Sequence, residues 1–597
     1  MKLRLTYYLA IIGVTATQSI SAINSTYTNP ILPGWHSDPS CVFVPERDNT
    51  TFCTTSSFTV FPGLPIYASN DLLNWKLASN AFNRPSQAPG IIDAPRQRDG
   101  FFAATLRHHD GVFFLVVSFS WGYPPQRILT NYIFSSRDPY RDDAWSDPIT
   151  FPVTSIDPDI FWDDDGQAYV TYPGGPEVGI FQATLDPTTG DIGPAYKLWS
   201  GSGRPYPEGP HIYRKDGYYY LSIAEGGTEL GHLQSMARST AISGPYESYP
   251  ANPILTNRNT TEYFQAVGHA DLFQDASQNW WGVALSTRSG PTWDKFPDIT
   301  NDSVLYRPNS TYPMGRETVL FPVTWRQGEW PIMEPVRGLM TGWPIFPSAK
   351  KLPGDGAFVN EPDVLDFEPG SKLPSHLVHW RAPDPASYVI SPSGHPNTLR
   401  LKCSKANLTA SSGFDPRDGL TLIMRRQTTT LFTYSVDIAF SPRALEEETG
   451  VTIFLTQFQH IDLGIVLLKT GGHLIPHFRL RTINETATVP GTVIRQVPRD
   501  WLHQPIRLQI QAVNETHYAF TAMSSSNPSH GLPMGYGLAH FVSGGTGRYT
   551  GALVGVFASS NGGSDTRFAY VSRWRYQGYA QMISEGVFTP SDLVSIN

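Results

Sequence analysis

Three acidic residues stand in three short signatures far apart along the chain. Asp38 lies in Gly34-Trp35-His36-Ser37-Asp38-Pro39, Asp157 in Ile156-Asp157-Pro158-Asp159-Ile160-Phe161-Trp162, and Glu208 in Tyr206-Pro207-Glu208-Gly209-Pro210-His211. Carboxyl groups brought to one point can cleave a glycosidic bond. One protonates the leaving oxygen and another, facing it, activates water or attacks the sugar. Aromatic side chains beside them supply flat apolar faces for a sugar ring; Trp35, Phe102, Trp121 and Trp162 are the candidates.

Such a site needs elements that carry distant residues to one place. In the first half, aromatic and β-branched runs follow turn residues: Val112–Val117 after Asp110-Gly111, Ala168–Tyr172 after Asp165-Gly166, Tyr218–Ile223 after Asp216-Gly217, and Trp280–Leu285 after Asp275-Ala276. Asp-Gly between such runs signals a hairpin. The turn aspartates are spaced by 55, 51 and 59 residues. With the hairpin around Asp48 this makes five units, the rhythm of a five-bladed β-propeller. Asp157 and Glu208 each lie eight residues before their turn aspartate and His269 lies six before Asp275. Even offsets put them on equivalent faces of equivalent strands, pointing to the central channel. Asp159 shares the parity of Asp157, so register alone does not separate the two.

The rhythm stops near residue 345. Pro344–Pro362 reads as a linker, and strands from about Asp363 onward suggest a sandwich of two sheets. The expected organisation is a signal peptide over 1–22, a propeller over 23–345, a linker over 346–362 and a β-sandwich over 363–597.

Composition supports an all-β protein: 597 residues, 13% aromatic and 16% charged, with 51 glycines and 51 prolines. The net charge of −8 is spread out and no basic stripe occurs, so neither nucleic acid nor an anionic membrane is an expected partner. Lys2 and Arg4 precede an apolar run, Leu5–Val14, and small residues lead to Ser21-Ala22. That is the pattern of a secretory signal, and the run is too short to span a bilayer. Sequons at Asn24, Asn49, Asn259, Asn301, Asn309, Asn407, Asn484 and Asn514 agree with export and an extracellular, glycosylated product. Cys41 and Cys53 flank the turn at Pro45–Asn49, so a disulfide across that hairpin is expected in an oxidising compartment. Cys403 reads as a buried apolar residue.

Together these motifs resemble glycoside hydrolase family 43. The resemblance rests on Asp38-Pro39-Ser40, Asp157-Pro158, Glu208-Gly209-Pro210-His211, Ala224-Glu225-Gly226-Gly227-Thr228, Gly268-His269-Ala270-Asp271 and Gly315-Arg316-Glu317-Thr318. In the second half it rests on Met424-Arg425-Arg426-Gln427 and Glu448-Thr449-Gly450-Val451-Thr452, similar to the concanavalin-like β-sandwich of the β-xylosidase and α-L-arabinofuranosidase branch. It implies hydrolysis with inversion. Asp38 would be the general base, Glu208 the general acid, about 6.5–9.5 Å away, and Asp157 a third carboxylate that raises the acid's pKa and orients it. The family pattern selects Asp157, the residue before Pro158, over Asp159. Arg316 would contact substrate. His269 would lie near the propeller axis, beside a structural calcium or as a buried histidine, and no cofactor is implied for the reaction. Phe101–Arg107 stands where many members carry Trp-Ala-Pro, which leaves the leaving-group subsite open.

The leading expectation is a secreted exo-acting enzyme that removes arabinofuranosyl or xylosyl units from arabinoxylan, xylo-oligosaccharides or arabinan. The alternatives are an endo-arabinanase on the same propeller and a non-catalytic carbohydrate-binding propeller. Arabinose and xylose are not distinguished by these residues.

Overall fold

The structure is a computed structural model and describes residues 24–122, 126–175, 177–290, 311–346, 351–409, 415, 417, 419–563 and 567–591. The signal segment and the sequons at Asn301 and Asn309 lie outside the described residues. Among the described residues the fold is all-β, and its helical segments are short 3-10 turns.

Between Ser40 and Met333 the strands other than Val60–Phe61 form five four-stranded antiparallel sheets. Their first strands are Ser40–Val44, Gly100–His109, Asp159–Trp162, Glu208–Lys215 and Phe264–Gln274. Each first strand adjoins that of the next sheet, and the fifth adjoins the first, so the sheets stand in a ring. The sequence rhythm has a direct cause at the hairpins. Asp110-Gly111 and Asp216-Gly217 all take positive φ, between 48° and 80°, the two-residue turn whose twist matches the flanking strands. Neighbouring sheets pack face to face. Val44, Phe52 and Ile66 meet Phe101, Leu106 and Phe113 between the first two, and Ile180 and Leu198 meet Ile212 and Leu221 between the third and fourth. Ser25–Thr28 pairs with Leu339–Gly342, tying the start of the ring to its exit. Cys41 and Cys53 are directly opposed in the first hairpin and bonded, with Cα atoms 4.1 Å apart.

The axis of the ring is filled by a charge network with a member from every first strand. Arg107 donates to Asp271 Oδ2 (2.8 Å), Asp159 Oδ1 (2.8 Å) and Ser40 Oγ (3.1 Å). Its Nη2 also lies 3.1 Å from His211 Nδ1. Tyr213 donates to Asp271 Oδ1 (2.8 Å). Arg107 holds the Asp271 carboxyl well below the usual carboxylate range, against its burial. A buried pair of this kind stabilises only when its remaining valences are satisfied, and every carboxylate oxygen of Asp159 and Asp271 has a donor here.

The second half is a sandwich of a nine-stranded and a six-stranded sheet. Ile423, Val451, Ile453 and Val554 of one face Phe432, Tyr434, Leu508 and Trp574 of the other. Cys403 is buried. The stretch expected as a linker lies along the first sheet: Leu77 donates its N–H to Ala357 O (3.0 Å) and Val359 donates to Trp75 O (3.0 Å). His379–Trp380 of the second half pairs with Val60–Phe61 of the first. Around this join Trp35, Phe58 and Val60 pack against Trp380, Met424, Phe454 and Leu553. The two halves share an apolar core, so the sandwich can contribute to a site on the propeller side.

Asn24, Asn49, Asn259 and Asn514 are exposed, while Asn407 and Asn484 are half-buried. Asn484 donates its side-chain amide to Phe541 O (3.0 Å). A glycan there would leave that amide nitrogen a single hydrogen with which to keep the bond.

Candidate active site

A cavity of about 490 Å³ opens at one end of the ring. Asp38, Asp157, Glu208, His269 and Arg316 all line it, together with Phe102. Asp38 and Asp157 are buried at its floor, at 6% and 5% exposure. Asp159 is elsewhere, on the axis with Arg107 and His211. Two residues along the chain thus divide a cavity carboxylate from a structural one.

The strands deliver these residues by a repeated irregularity. The ladder slips between Phe102 and Thr105, between Glu208 and His211, and on either side of Gly268. At or beside those points, or just before a first strand, one residue takes the left-handed conformation: Asp38, Ala103, Asp157, Gly209 and His269, all with φ between 51° and 53°. Four of these are not glycine, and strain of this kind collects where a site over-determines the backbone. Gly209 is needed for a second reason. A Cβ there would sit 2.9–3.0 Å from the His269 ring. Gly209→Ala is therefore expected to displace His269 and lower kcat/KM by about 10–100-fold, with an unchanged circular-dichroism spectrum; full activity would show that the close approach is dispensable.

Ser56 donates to Asp38 Oδ2 (2.5 Å), and Ala103 N–H in turn donates to Ser56 Oγ (2.8 Å). Asp38 Oδ1 faces Arg316 Nη1 and His269 Nδ1, each at 3.9 Å. Arg316 does not pair with Glu317, which binds Arg288 instead (2.5 Å); its Nη2 donates to Thr228 O (2.6 Å). Asp157 accepts from Gly209 N–H (3.1 Å). Burial, then the negative charges of Glu208 and Asp38, push the Asp157 carboxyl well above the usual range. Repulsion between two carboxylates acts on both, so Asp157 and Glu208 titrate as a unit that retains a proton. Burial lowers His269 to about 4 and His232 beside it to about 3, so both imidazoles are neutral at ordinary pH.

Three expected sugar-stacking rings lie elsewhere. Trp35 is fully buried in the join between the halves, with Arg426 over its ring. Trp121 packs on the core between the first two sheets, and a Cβ on Gly90 would meet its indole. Trp162 stacks on His109. An indole serves a core as readily as a sugar, and residue type alone does not separate the two uses. The aromatic wall is Phe102, Phe58 and Tyr549. Phe58 stacks between the other two, with centroids 5.7 Å from Phe102 and 6.4 Å from Tyr549. Tyr549 comes from the sandwich and sits between Arg316 and Arg548, 4.8 and 4.7 Å from its centroid. Its contribution arises from packing of the two halves and has no local sequence signal.

The neighbours of His269 do not fit a calcium ion. Calcium takes about six to eight oxygen ligands, whereas His269 faces one carboxylate oxygen, the Arg316 guanidinium and, at 6.4 Å between centroids, the His211 ring. The axial carboxylates are held by Arg107. Among the described residues no group of three or more His, Cys, Asp or Glu side chains is arranged to hold a metal.

Comparison with known proteins agrees with this arrangement. The profile described as Glycosyl hydrolases family 43 matches residues 27–331, and that described as Beta xylosidase C-terminal Concanavalin A-like domain matches residues 364–577. The chain is 32% identical over 551 residues to a protein of Bacteroides ovatus named non-reducing end alpha-L-arabinofuranosidase BoGH43B, covering 92% of this chain and 94% of that protein. It is 29% identical to a xylosidase/arabinosidase of Butyrivibrio fibrisolvens, covering 89% and 96%. Among solved structures, Bacteroides ovatus Xyloglucan PUL GH43B superposes with a TM-score of 0.77 at 30% identity, covering 93% of this chain and all of that one. The GH43 BlXynB protein of Bacillus licheniformis superposes with a TM-score of 0.76 at 26% identity, with the same coverage.

Proposed function

The chain belongs to glycosyl hydrolases family 43 and is a glycoside hydrolase; from that premise we propose that it is an exo-acting, inverting enzyme that removes α-L-arabinofuranosyl or β-D-xylosyl units from arabinoxylan-type hemicellulose outside the cell. The five sheets act as the five blades of its propeller. The observation that carries the exo reading is the cavity itself: three carboxyl groups at its floor, and a wall closed by Tyr549 from the sandwich. A wall contributed by the sandwich favours a chain end over the middle of a polymer. The relatives named arabinofuranosidase and xylosidase/arabinosidase support the substrate class, and the N-terminal segment and exposed sequons support secretion.

In this reading the glycosidic oxygen faces Glu208, which donates the proton held by the Asp157–Glu208 pair. Asp38, fixed by Ser56, takes a proton from water on the opposite face of the sugar. Neutral His269 and the Arg316 guanidinium line the same floor and offer hydrogen bonds to sugar hydroxyls without adding an acid that competes for the leaving group. On the axis below, Arg107 is the cation that balances Asp159 and Asp271.

The test is chromatography of products from wheat arabinoxylan and short xylo-oligosaccharides. Free arabinose or free xylose is expected from the first minutes onward. A ladder of oligosaccharides without free pentose would replace this reading with an endo-acting one, and no product from any substrate would leave only carbohydrate binding.

Asp157→Asn keeps the shape of the floor and removes a charge. Burial penalises the ionised Asp157, so its raised pKa makes the native state hold a proton that the unfolded chain releases. That contribution to stability is present at low pH and is lost as pH rises through the raised value. The variant is expected to lose most activity and yet melt higher than wild type, with a gap that widens as pH rises above the usual carboxylate range towards the raised value. A gap that narrows with pH would show that Asp157 is not held protonated by the fold.

A further inference from the structure

The floor of the cavity is acidic and its mouth is basic. Arg96, Arg98 and Arg127 line the cavity on the side of the second sheet. Arg96 is half-buried and bonded within its loop, with Nη2 2.7 Å from Asp99 Oδ1. Arg98 and Arg127 are exposed. Arg127 uses Nε on Ser120 Oγ (2.7 Å). Arg98 makes no hydrogen bond or ion pair that the structure records among the described residues. Three guanidinium groups against one carboxylate leave the mouth with an excess of about two positive charges, in a chain whose net charge is −8. The guanidinia also depress one another: Arg127 titrates lower than usual, first through burial and then through Arg96 and Arg98. Like charges held together at the entrance of a binding cavity are costly without an anion between them.

In an exo-acting pocket the sugar to be released sits at the floor and the rest of the substrate leaves through the mouth. We propose that the mouth, through Arg98 and Arg127, binds the carboxylate of a hexuronate on the leaving-group side of the scissile bond, so that the preferred substrate is an acidic pentose-bearing glycan. This rests on the exo-glycosidase reading above and names its substrate class more closely. The guanidinium fork suits a carboxylate, which it can bind bidentately, and two such groups with free donors at one rim exceed what neutral hydroxyls require.

The experiment compares kcat/KM for three probes at low ionic strength. They are a neutral arabinoxylo-oligosaccharide, the same compound with glucuronate on the neighbouring xylose, and xylose carried on an oligogalacturonate. Wild type is expected to favour at least one acidic probe by about tenfold or more, and added salt should erase that preference by screening. The acidic probe favoured tells whether the uronate belongs to a xylan or to a pectic chain. In Arg98→Ala/Arg127→Ala the ratio of acidic to neutral kcat/KM should fall to near one; Arg98→Gln/Arg127→Gln, which keeps the length of the side chains, should do the same. Cleavage of the neutral probe with no preference for either acidic one overturns the inference alone. A preference that survives both double variants and salt also overturns it. Failure to cleave any of the three overturns the glycosidase reading, and the inference with it.

Discussion

Glu208→Gln is expected to lower kcat/KM on arabinoxylo-oligosaccharides by about 10²–10⁴-fold, the share of catalysis a positioned general acid commonly supplies. The loss should depend on the leaving group. A sugar alkoxide is a poor leaving group and needs a proton as the bond breaks, whereas a nitrophenolate departs with little help. Steady-state kinetics on natural oligosaccharides and on nitrophenyl pentosides therefore separate the roles of the floor carboxylates. The variant should be crippled on the first and only mildly impaired on the second. The alkaline limb of the remaining activity should also change, because the proton retained by the Asp157–Glu208 pair is no longer shared between two carboxyls. An equal loss on both kinds of substrate would assign Glu208 to binding or to the fold.

How the three acids reach one cavity was legible only in part. The hairpins at Asp110-Gly111 and Asp216-Gly217 announce themselves because their turn demands residues tolerant of positive φ. Counting back from the hairpins brought Asp157, Glu208 and His269 to the right end of the right strands, but for an incomplete reason. Even offsets assume an unbroken ladder, and the ladder slips near Glu208 and on both sides of Gly268. The side chains still converge because the slip recurs at equivalent places, with a left-handed residue at each. A period of two in the sequence cannot report a bulge, since the extra residue carries no mark of its own beyond an occasional Gly or Asp. Arg107 shows a second limit. It stands inside Phe101–Arg107, noted only for its departure from the family, yet it holds together the carboxylates of the axis. The aromatic wall shows a third. Phe58 and Tyr549 are 491 positions apart in the sequence, and they stack only because the sandwich packs on the ring. Trp35, a candidate by type and three residues from Asp38, instead fills the join that makes this possible.

Asp38→Asn should cost more, and without regard to the leaving group. Water must be deprotonated as it attacks whatever departs, so nitrophenyl pentosides and arabinoxylo-oligosaccharides are both expected to lose about 10²–10⁴-fold in kcat/KM, or more. Asparagine is close in shape and can still accept from Ser56, which donates to Asp38 Oδ2 at 2.5 Å. The floor should therefore stay in place and the melting temperature change little. The stereochemistry of the wild-type reaction tests the same assignment independently. A direct attack by water held at Asp38 gives a first-formed sugar of the opposite anomeric configuration to the substrate bond, whereas a covalent intermediate would return the original one. Proton NMR in the first moments, before the free pentose equilibrates, distinguishes the two. Inversion together with leaving-group-independent loss in Asp38→Asn leaves Asp38 as the base. Retention would require a carboxylate bonded to the sugar, and the buried floor would then hold a nucleophile where this arrangement places a base.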